Sequence, residues 1–275
     1  MLWSKVIGAG GAGGAGGVVE GWNVSTAVFN QSFSFAAQET APFSVFFKPD
    51  GLKMYVMGTD QDRVSEYNLS AAWDVSTAVH LQNFSVSSQD AVPFGMFFKP
   101  DGTKMYITGT IGDNVYEYNL SAAWNVSTAV FNQSFSVAAQ ETSPTAVFFK
   151  PDGLKMYFTG FTFDRVSEYN LSTAWDVSTA VHLQNLNVGA QETGPAGLFF
   201  KPDGLKMYVS GFGGLDVNEY NLSAAWDVST AVHLQNFSVS AQDTSPRGLF
   251  LKPDGLKMYI TGQVGDKVYE YDLTA

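Results

Sequence analysis

Three histidines, His80, His182 and His233, are the side chains of this sequence best suited to proton transfer or metal binding near neutral pH. They occupy one repeated position, which Phe29 and Phe131 fill elsewhere. A position that accepts phenylalanine is a packing position, and side chains placed one per structural unit cannot converge on a metal ion. The carboxylates Glu66, Glu117, Glu168, Glu219 and Glu270 recur in the same way. Acid–base chemistry needs two carboxyls in unlike environments, so five equivalent copies read as one structural role. Asp62, Asp113, Asp164 and Asp266 give one carboxylate to each of four loops, with Leu215 in the fifth. Calcium requires several oxygens together, so these read as turn residues. No Gly-x-Ser-x-Gly, His-Glu-x-x-His or Walker spacing is present. No catalytic residue, metal or cofactor is expected, and the sequence reads as a non-enzyme.

Composition narrows the partners. With 15 Lys and Arg against 26 Asp and Glu, the net charge of −11 repels a duplex phosphate backbone, which excludes nucleic acid. The chain is 45% apolar and 15% aromatic, enough to fill a core. Cysteine is absent, so packing alone must hold the fold. No uninterrupted apolar run is long enough for a transmembrane helix, and glycine dilutes the first residues too much for a secretory signal.

The elements that must position any site are set by a repeat. Trp22, Trp73, Trp124, Trp175 and Trp226 are each separated by 51 residues, and Lys-Pro-Asp-Gly recurs in the same register from Lys48 to Lys252. Each unit reads as four strands. Strand A, Ser44 to Lys48, is apolar throughout, as a strand covered on both faces should be. A Pro-Asp-Gly turn leads to strand B, Lys53 to Met57; strand C is Val64 to Leu69 and strand D Val79 to Val86.

A single four-stranded sheet cannot bury both of its faces, so the units must pack on one another. The first and last units are as apolar as the others, which argues for a closed ring over a capped stack. The fold class is therefore all-β, a five-bladed β-propeller of four antiparallel strands per blade, covering residues 22–275. Its last blade is expected to take strands A to C from Arg247 to Leu273 and strand D from Ala27 to Phe35, joining the two ends of the chain. The column Ser44, Gly95, Ala146, Gly197 and Gly248 supplies the small side chains that close packing around an axis demands.

The segment FFKPDGLKMYV with the following Gly58 (Phe46 to Val56, Gly58) resembles the propeller repeats of the YVTN type, and the likeness spans all five units. Tyr106-Ile107-Thr108-Gly109 and Tyr157-Phe158-Thr159-Gly160 carry that signature loosely. The resemblance implies fold and not activity.

Differences between the units fall in the D-to-A and B-to-C connections, which emerge together on one end of an up-and-down ring. That varied end carries Phe43, Phe94, Ile111, Phe161, Phe163 and Phe212, flanked by Arg63, Arg165 and Arg247. Exposed aromatics beside arginine suit a recognition surface for a glycan or a surface receptor; the alternative is that several of these phenylalanines cover the mouth of the pore as core. Residues 1–21 read as a glycine-rich tether with an apolar tip of Leu2, Trp3, Val6 and Ile7, joined at the opposite, uniform end. Together these features predict a noncatalytic propeller mounted through its N-terminal segment on protein neighbours in a larger assembly, such as a phage or virus fibre, at a virion or extracellular surface. The alternatives are a glycosidase-like enzyme with an axial acidic pocket and a structural spacer.

Overall fold

The computed structural model describes residues 21–273. The first strand among the described residues, β1 (Ala27–Ser34), belongs to the last blade. Blade 1 is β2 (Pro42–Phe47), β3 (Lys53–Gly58), β4 (Arg63–Leu69) and β5 (Ala78–Ser85). Blade 2 is β6 (Pro93–Phe98), β7 (Lys104–Gly109), β8 (Asn114–Leu120) and β9 (Ala129–Ser136). Blade 3 is β10 (Pro144–Phe149), β11 (Lys155–Gly160), β12 (Arg165–Leu171) and β13 (Ala180–Asn187). Blade 4 is β14 (Pro195–Phe200), β15 (Lys206–Gly211), β16 (Asp216–Leu222) and β17 (Ala231–Ser238). Blade 5 is β18 (Pro246–Leu251), β19 (Lys257–Gly262) and β20 (Lys267–Leu273), completed by β1. The tether expected at residues 1–21, with Leu2, Trp3, Val6 and Ile7, lies outside the described residues apart from Gly21. No helix among those residues is long and apolar enough to cross a membrane.

Burial follows position in the blade. The innermost strands are buried along almost their whole length, whereas β5 and its counterparts alternate because only one face meets the core. Each inner strand abuts the next, and β18 returns to β2, so the ring closes. The small-residue column makes this approach possible. A Cβ on Gly95 would lie 2.8 Å from Ala146 Cα, and one on Gly248 would lie 2.9 Å from Ser44 Cα. The seam is antiparallel pairing of β1 with β20, from Ala27 opposite Leu273 to Ser34 opposite Lys267.

Two latches repeat around the ring. In the first, Tyr55 Oη donates to the Trp124 carbonyl of the next blade at 2.7 Å, and Tyr106, Tyr157, Tyr208 and Tyr259 do the same to Trp175, Trp226, Trp22 and Trp73. The tryptophans adopt an unexpected backbone, with Trp73 at φ 66°. A left-handed non-glycine residue costs about 1–2 kcal/mol. It persists because the Trp73 N–H donates to the Gly51 carbonyl at 3.0 Å and its indole stacks on Phe250 of the preceding blade, with centroids 6.2 Å apart. Gly51 therefore has two tasks: it turns the chain at φ 75°, and it leaves the space the indole fills, since a Cβ there would lie 2.4 Å from the ring.

The second latch uses the glutamate column in the structural role expected of it. Glu66 is fully buried, pairs with Lys53, and accepts from Gln82 Nε2 at 2.8 Å and from the Val126 N–H of the next blade at 3.1 Å. Glu117 and Glu168 repeat this toward Val177 and Val228. Glu219 and Glu270 carry it across the seam to Val24 and Val75. The histidines pack edge-on against Tyr67, Tyr169 and Tyr220, with centroids 5.2 to 5.4 Å apart.

Candidate functional site at the varied end of the ring

Each loop at this end is built on an acidic side chain that precedes its inner strand. Glu39 Oε1 accepts from the N–H groups of Ala41 and Asp60 at 2.9 and 3.2 Å, which fixes the B-to-C turn against the D-to-A loop. Asp90, Glu141, Glu192 and Asp243 repeat this arrangement. The turn then passes through a left-handed residue, Asp62, Asp113, Asp164 or Asp266, at φ between 47° and 51°. Aspartate is among the few non-glycine residues that visit this region, although Oδ1 of Asp62, Asp113 and Asp164 is buried without a hydrogen-bond partner. Burial raises the pKa of all four carboxyls.

Four of the six apolar residues expected at this end, Phe43, Phe94, Phe161 and Phe212, converge on the axis. Phe43 and Phe94 are buried and meet edge to face at 4.2 Å. Phe94 meets Phe161 at 5.6 Å, and Phe161 meets Phe212 at 5.2 Å. The Arg247 guanidinium closes the circle, 4.2 Å from the Phe212 ring and 4.6 Å from the Phe43 ring. Every blade contributes one member, but from alternative positions. Blades 1 and 2 use Phe43 and Phe94 with Thr59 and Thr110 in the second position. Blades 3 and 4 place Thr145 and Ala196 in the first position and Phe161 and Phe212 in the second. Blade 5 carries Arg247 and Gln263 in these positions. A second collar, Phe46, Phe97, Phe148, Phe199 and Phe250, seals the axis nearer the uniform end, with neighbouring centroids 5.1 to 5.4 Å apart. A cavity of about 30 Å³ lies between the collars, lined by Ser44, Met96, Ala146, Gly197 and Gly248 among others, enough for about two waters.

Arg247 is the one cation of the collar. Its Nε and Nη2 donate to Gln263 Oε1 at 3.1 and 2.6 Å, while Nη1 is buried with no hydrogen-bond partner. Burial pushes its pKa down to about 10, against the opposing fields of Asp243 and Glu192, which leaves it a cation at neutral pH. The other expected residues lie apart from the collar. Arg63 and Arg165 donate to the carbonyls of Gln38 and Gln140, stapling the D-to-A loops. Phe163 is exposed, with the Arg165 guanidinium 4.6 Å from its ring, and Ile111 is 66% exposed.

Blade 4 departs from its sisters beside Arg247. Where the others carry Arg63, Asn114, Arg165 and Lys267, it carries Asp216, preceded by Gly213, Gly214 and Leu215. Leu215 sits at φ 56°, a left-handed position rarer for leucine than for the aspartates of the other blades. Asp216 is buried and accepts from Asn218 Nδ2 at 2.6 Å and Asn236 Nδ2 at 2.5 Å. Asp216 Oδ1 and Glu192 Oε2 lie 2.8 and 3.2 Å from the same point, the Cβ position that Gly214 leaves empty. Burial raises the Glu192 pKa, three backbone N–H donors oppose it, and Asp216 adds to the rise. These are two carboxyls in unlike environments, which no reading of the five-fold glutamate column could supply. The available signal was the inversion of charge in one column together with the loss of aspartate at Leu215.

No protein family and no curated protein matches the chain. Solved structures do. A proposed 6-phosphogluconolactonase from Bacteroides uniformis is similar at 15% identity and a TM-score of 0.52, over 83% of this chain and 65% of that one. A second, from Bacteroides fragilis, is similar at 14% identity and 0.53, over 80% of this chain and 77% of that one. A periplasmic gluconolactonase from Pseudomonas aeruginosa is similar at 17% identity and 0.50, over 84% and 66%. The chain spans less than two thirds of the Bacteroides uniformis and Pseudomonas aeruginosa proteins, and the likeness is one of fold.

These findings correct the expectation of a noncatalytic propeller mounted in a phage or virus fibre and presenting its loops to a receptor or glycan. The three similar propellers named above carry lactonase names and not those of appendage proteins, which fits the enzyme alternative better than the fibre reading, and the virion setting finds no support. The structural ground is the collar: Phe43 and Phe94, expected as exposed anchors, point inward and seal the axis.

Proposed function

We propose that this propeller is an enzyme that opens sugar-acid lactones at the varied end of its ring. The observation that carries the reading is the placement of one incompletely bonded guanidinium, Arg247, in an apolar collar and within the field of Glu192, which shares the Gly214 loop with Asp216. Lactone hydrolysis needs a donor for the carbonyl oxygen as it gains negative charge and a base for the attacking water. Arg247 Nη1 has the capacity for the first task. Glu192, whose pKa burial raises and Asp216 raises further, suits the second. Water oxygen bonds to the carbonyl carbon, its proton passes to Glu192, the ring C–O bond breaks, and the departing alkoxide takes a proton to give the hydroxy acid. The names of the similar propellers support the substrate class.

A glycosidase would need two carboxyls facing each other across an open cleft. Here both lie under the same glycine loop, and Asp216 is committed to two amides, which favours the ester reading. The test is opening of glucono-δ-lactone followed by pH-stat under mildly acidic conditions. Wild type should exceed the spontaneous rate. Arg247→Gln should lose on the order of 10² to 10³ in kcat, the usual effect of removing one oxyanion donor. No acceleration by wild type, or full activity in Arg247→Gln, would refute the assignment.

A further inference from the structure

Each loop at the varied end already holds an anion of its own. Glu192 accepts three N–H groups, those of Gly194 and Gly213 at 2.8 Å and of Gly214 at 3.0 Å. Glu141 accepts those of Ser143, Thr162 and Phe163 at 2.9, 3.0 and 3.3 Å, and Asp90 those of Val92, Ile111 and Gly112 at 2.9, 3.2 and 3.1 Å. Converging backbone N–H groups are what a protein offers a phosphate. Here a side-chain carboxylate takes them.

Four further carboxylates stand in the B-to-C turns, Asp62, Asp113, Asp164 and Asp266, and Oδ1 of the first three is buried without a hydrogen-bond partner. Burial raises the pKa of all four, and the charges that add to the rise are those of Asp60, Asp90, Glu141 and Asp243, every one a carboxylate. The cations of this end are Arg63, Arg165, Arg247 and Lys267, and the three arginines donate to Gln38, Gln140 and Gln263. Against these four stand the five loop carboxylates, the four turn aspartates, Asp60 and Asp216, which gives this end seven of the chain's eleven net negative charges. The ring of turn aspartates has one gap, Leu215, in the blade that carries Glu192 and Asp216.

We propose that Asp62, Asp113, Asp164 and Asp266 make the site selective for uncharged lactones over lactones that carry a phosphate. This rests on the lactonase reading and adds to it the character of the substrate's remote end. The gap at Leu215 spares the reacting carbonyl, whose oxygen gains negative charge beside Arg247, while the other four blades set a carboxylate against any anionic group carried elsewhere on the substrate. A surface lined by one sign of charge changes the local concentration of a charged ligand by about 10- to 10³-fold. A phosphate, with a charge of about −1.5 to −2 at pH 7, is depleted there, and a neutral sugar lactone is not. The carboxylate of the product meets the same repulsion, which favours its release.

The test compares opening of glucono-δ-lactone and of 6-phosphoglucono-δ-lactone by the full chain, each corrected for its spontaneous rate. Rates are read at low salt and in about 1 M NaCl, where charges are screened beyond about 3 Å. At low salt kcat/KM should favour the uncharged lactone by at least about tenfold, and the ratio should fall severalfold in high salt. Asparagine also visits the left-handed region, so Asp62→Asn, Asp113→Asn, Asp164→Asn and Asp266→Asn together keep the turns and should lower the ratio severalfold at low salt. The salt dependence of the wild-type chain is read whether or not the quadruple variant folds. Equal kcat/KM for the two lactones, a preference for the phosphorylated one, a ratio indifferent to salt, or a folded quadruple variant with the wild-type ratio would each overturn the proposal and leave the lactonase reading standing. Opening of neither lactone would overturn both.

Discussion

Glu219 Oε2 accepts the backbone N–H of Val24 at 3.1 Å across 195 residues of sequence, the same bond that Glu66 Oε2 accepts from Val126 at 3.1 Å across 60. The seam of the ring is thus held by the contacts that join every other pair of blades. Glu219→Ala and Glu66→Ala should therefore destabilise alike, each by about 3 kcal/mol, because each leaves a lysine and a buried N–H unpaired. Urea unfolding of the full chain measures both. A Glu219 variant costing less than half as much as its counterpart would show that the seam is held by other means.

Acid sensitivity should depend on three of the five short 3₁₀ turns. Asp74, Asp176 and Asp227 cap Val75–Thr77, Val177–Thr179 and Val228–Thr230, accepting from Ser76, Ser178 and Ser229. The serine hydroxyl bond lowers each aspartate pKa below its ordinary 3.8. A carboxyl whose pKa is lower in the folded state gives stability that is present above the unfolded value and lost as pH falls through the folded one. In the other two blades Asn23 and Asn125 perform the same cap without titrating. Replacing all three aspartates by asparagine should preserve the fold at neutral pH and flatten the loss of stability below about pH 4. Identical acid limbs for the triple variant and wild type would sink this account.

Under the proposed lactonase reading, the rate of lactone opening should rise with pH through a value above the ordinary glutamate range, because burial raises the pKa of the proposed base, Glu192. Glu192→Gln keeps an acceptor oxygen for the Gly194 and Gly213 N–H groups, loses the one that Gly214 uses, and removes the titration. It should lower kcat by about 10² to 10⁴ and abolish that pH dependence. A pH–rate profile unchanged by this substitution would assign the base elsewhere.

The blade was legible because the 51-residue spacing places each strand directly, and observed strands such as Pro42–Phe47 and Ala78–Ser85 begin within two residues of their expected positions. The seam was legible because Ala27 and Leu273 fall into complementary repeat columns. For Phe43 and Phe94 the pore-mouth alternative holds and the exposed one does not, a choice the sequence leaves open because a loop position shows its burial only when five loops meet on one axis. The left-handed tryptophans were missed because local propensity gives no warning: their conformation is imposed by Gly51 and by the neighbouring blade. The Glu192–Asp216 pair was missed because repeat averaging hides the single unit that departs from it.

Gly153 tests the glycine–tryptophan argument. Gly153→Ala places a methyl 2.4 Å from the Trp175 indole at a backbone φ of 75°. It should cost about 2–4 kcal/mol, from left-handed strain and overpacking together, and shift tryptophan emission. A loss under about 1 kcal/mol would mean that the indole moves freely out of its slot.

The collar makes the most discriminating prediction about packing. Blade 3 fills the axis with Thr145 and Phe161, whereas blade 1 does so with Phe43 and Thr59. The axis then constrains the summed volume of the two positions more than either one. Thr145→Phe alone adds a second ring to a sealed collar and should cost about 1–3 kcal/mol. Phe161→Thr alone opens a void between Phe94 and Phe212 and should cost a similar amount. The double variant restores the arrangement of blade 1, so the two losses should cancel in part, with a favourable coupling of at least about 1 kcal/mol in a double-mutant cycle read by urea denaturation. Additive losses would show that the two positions do not share one space, and the five-membered collar would then be five independent contacts.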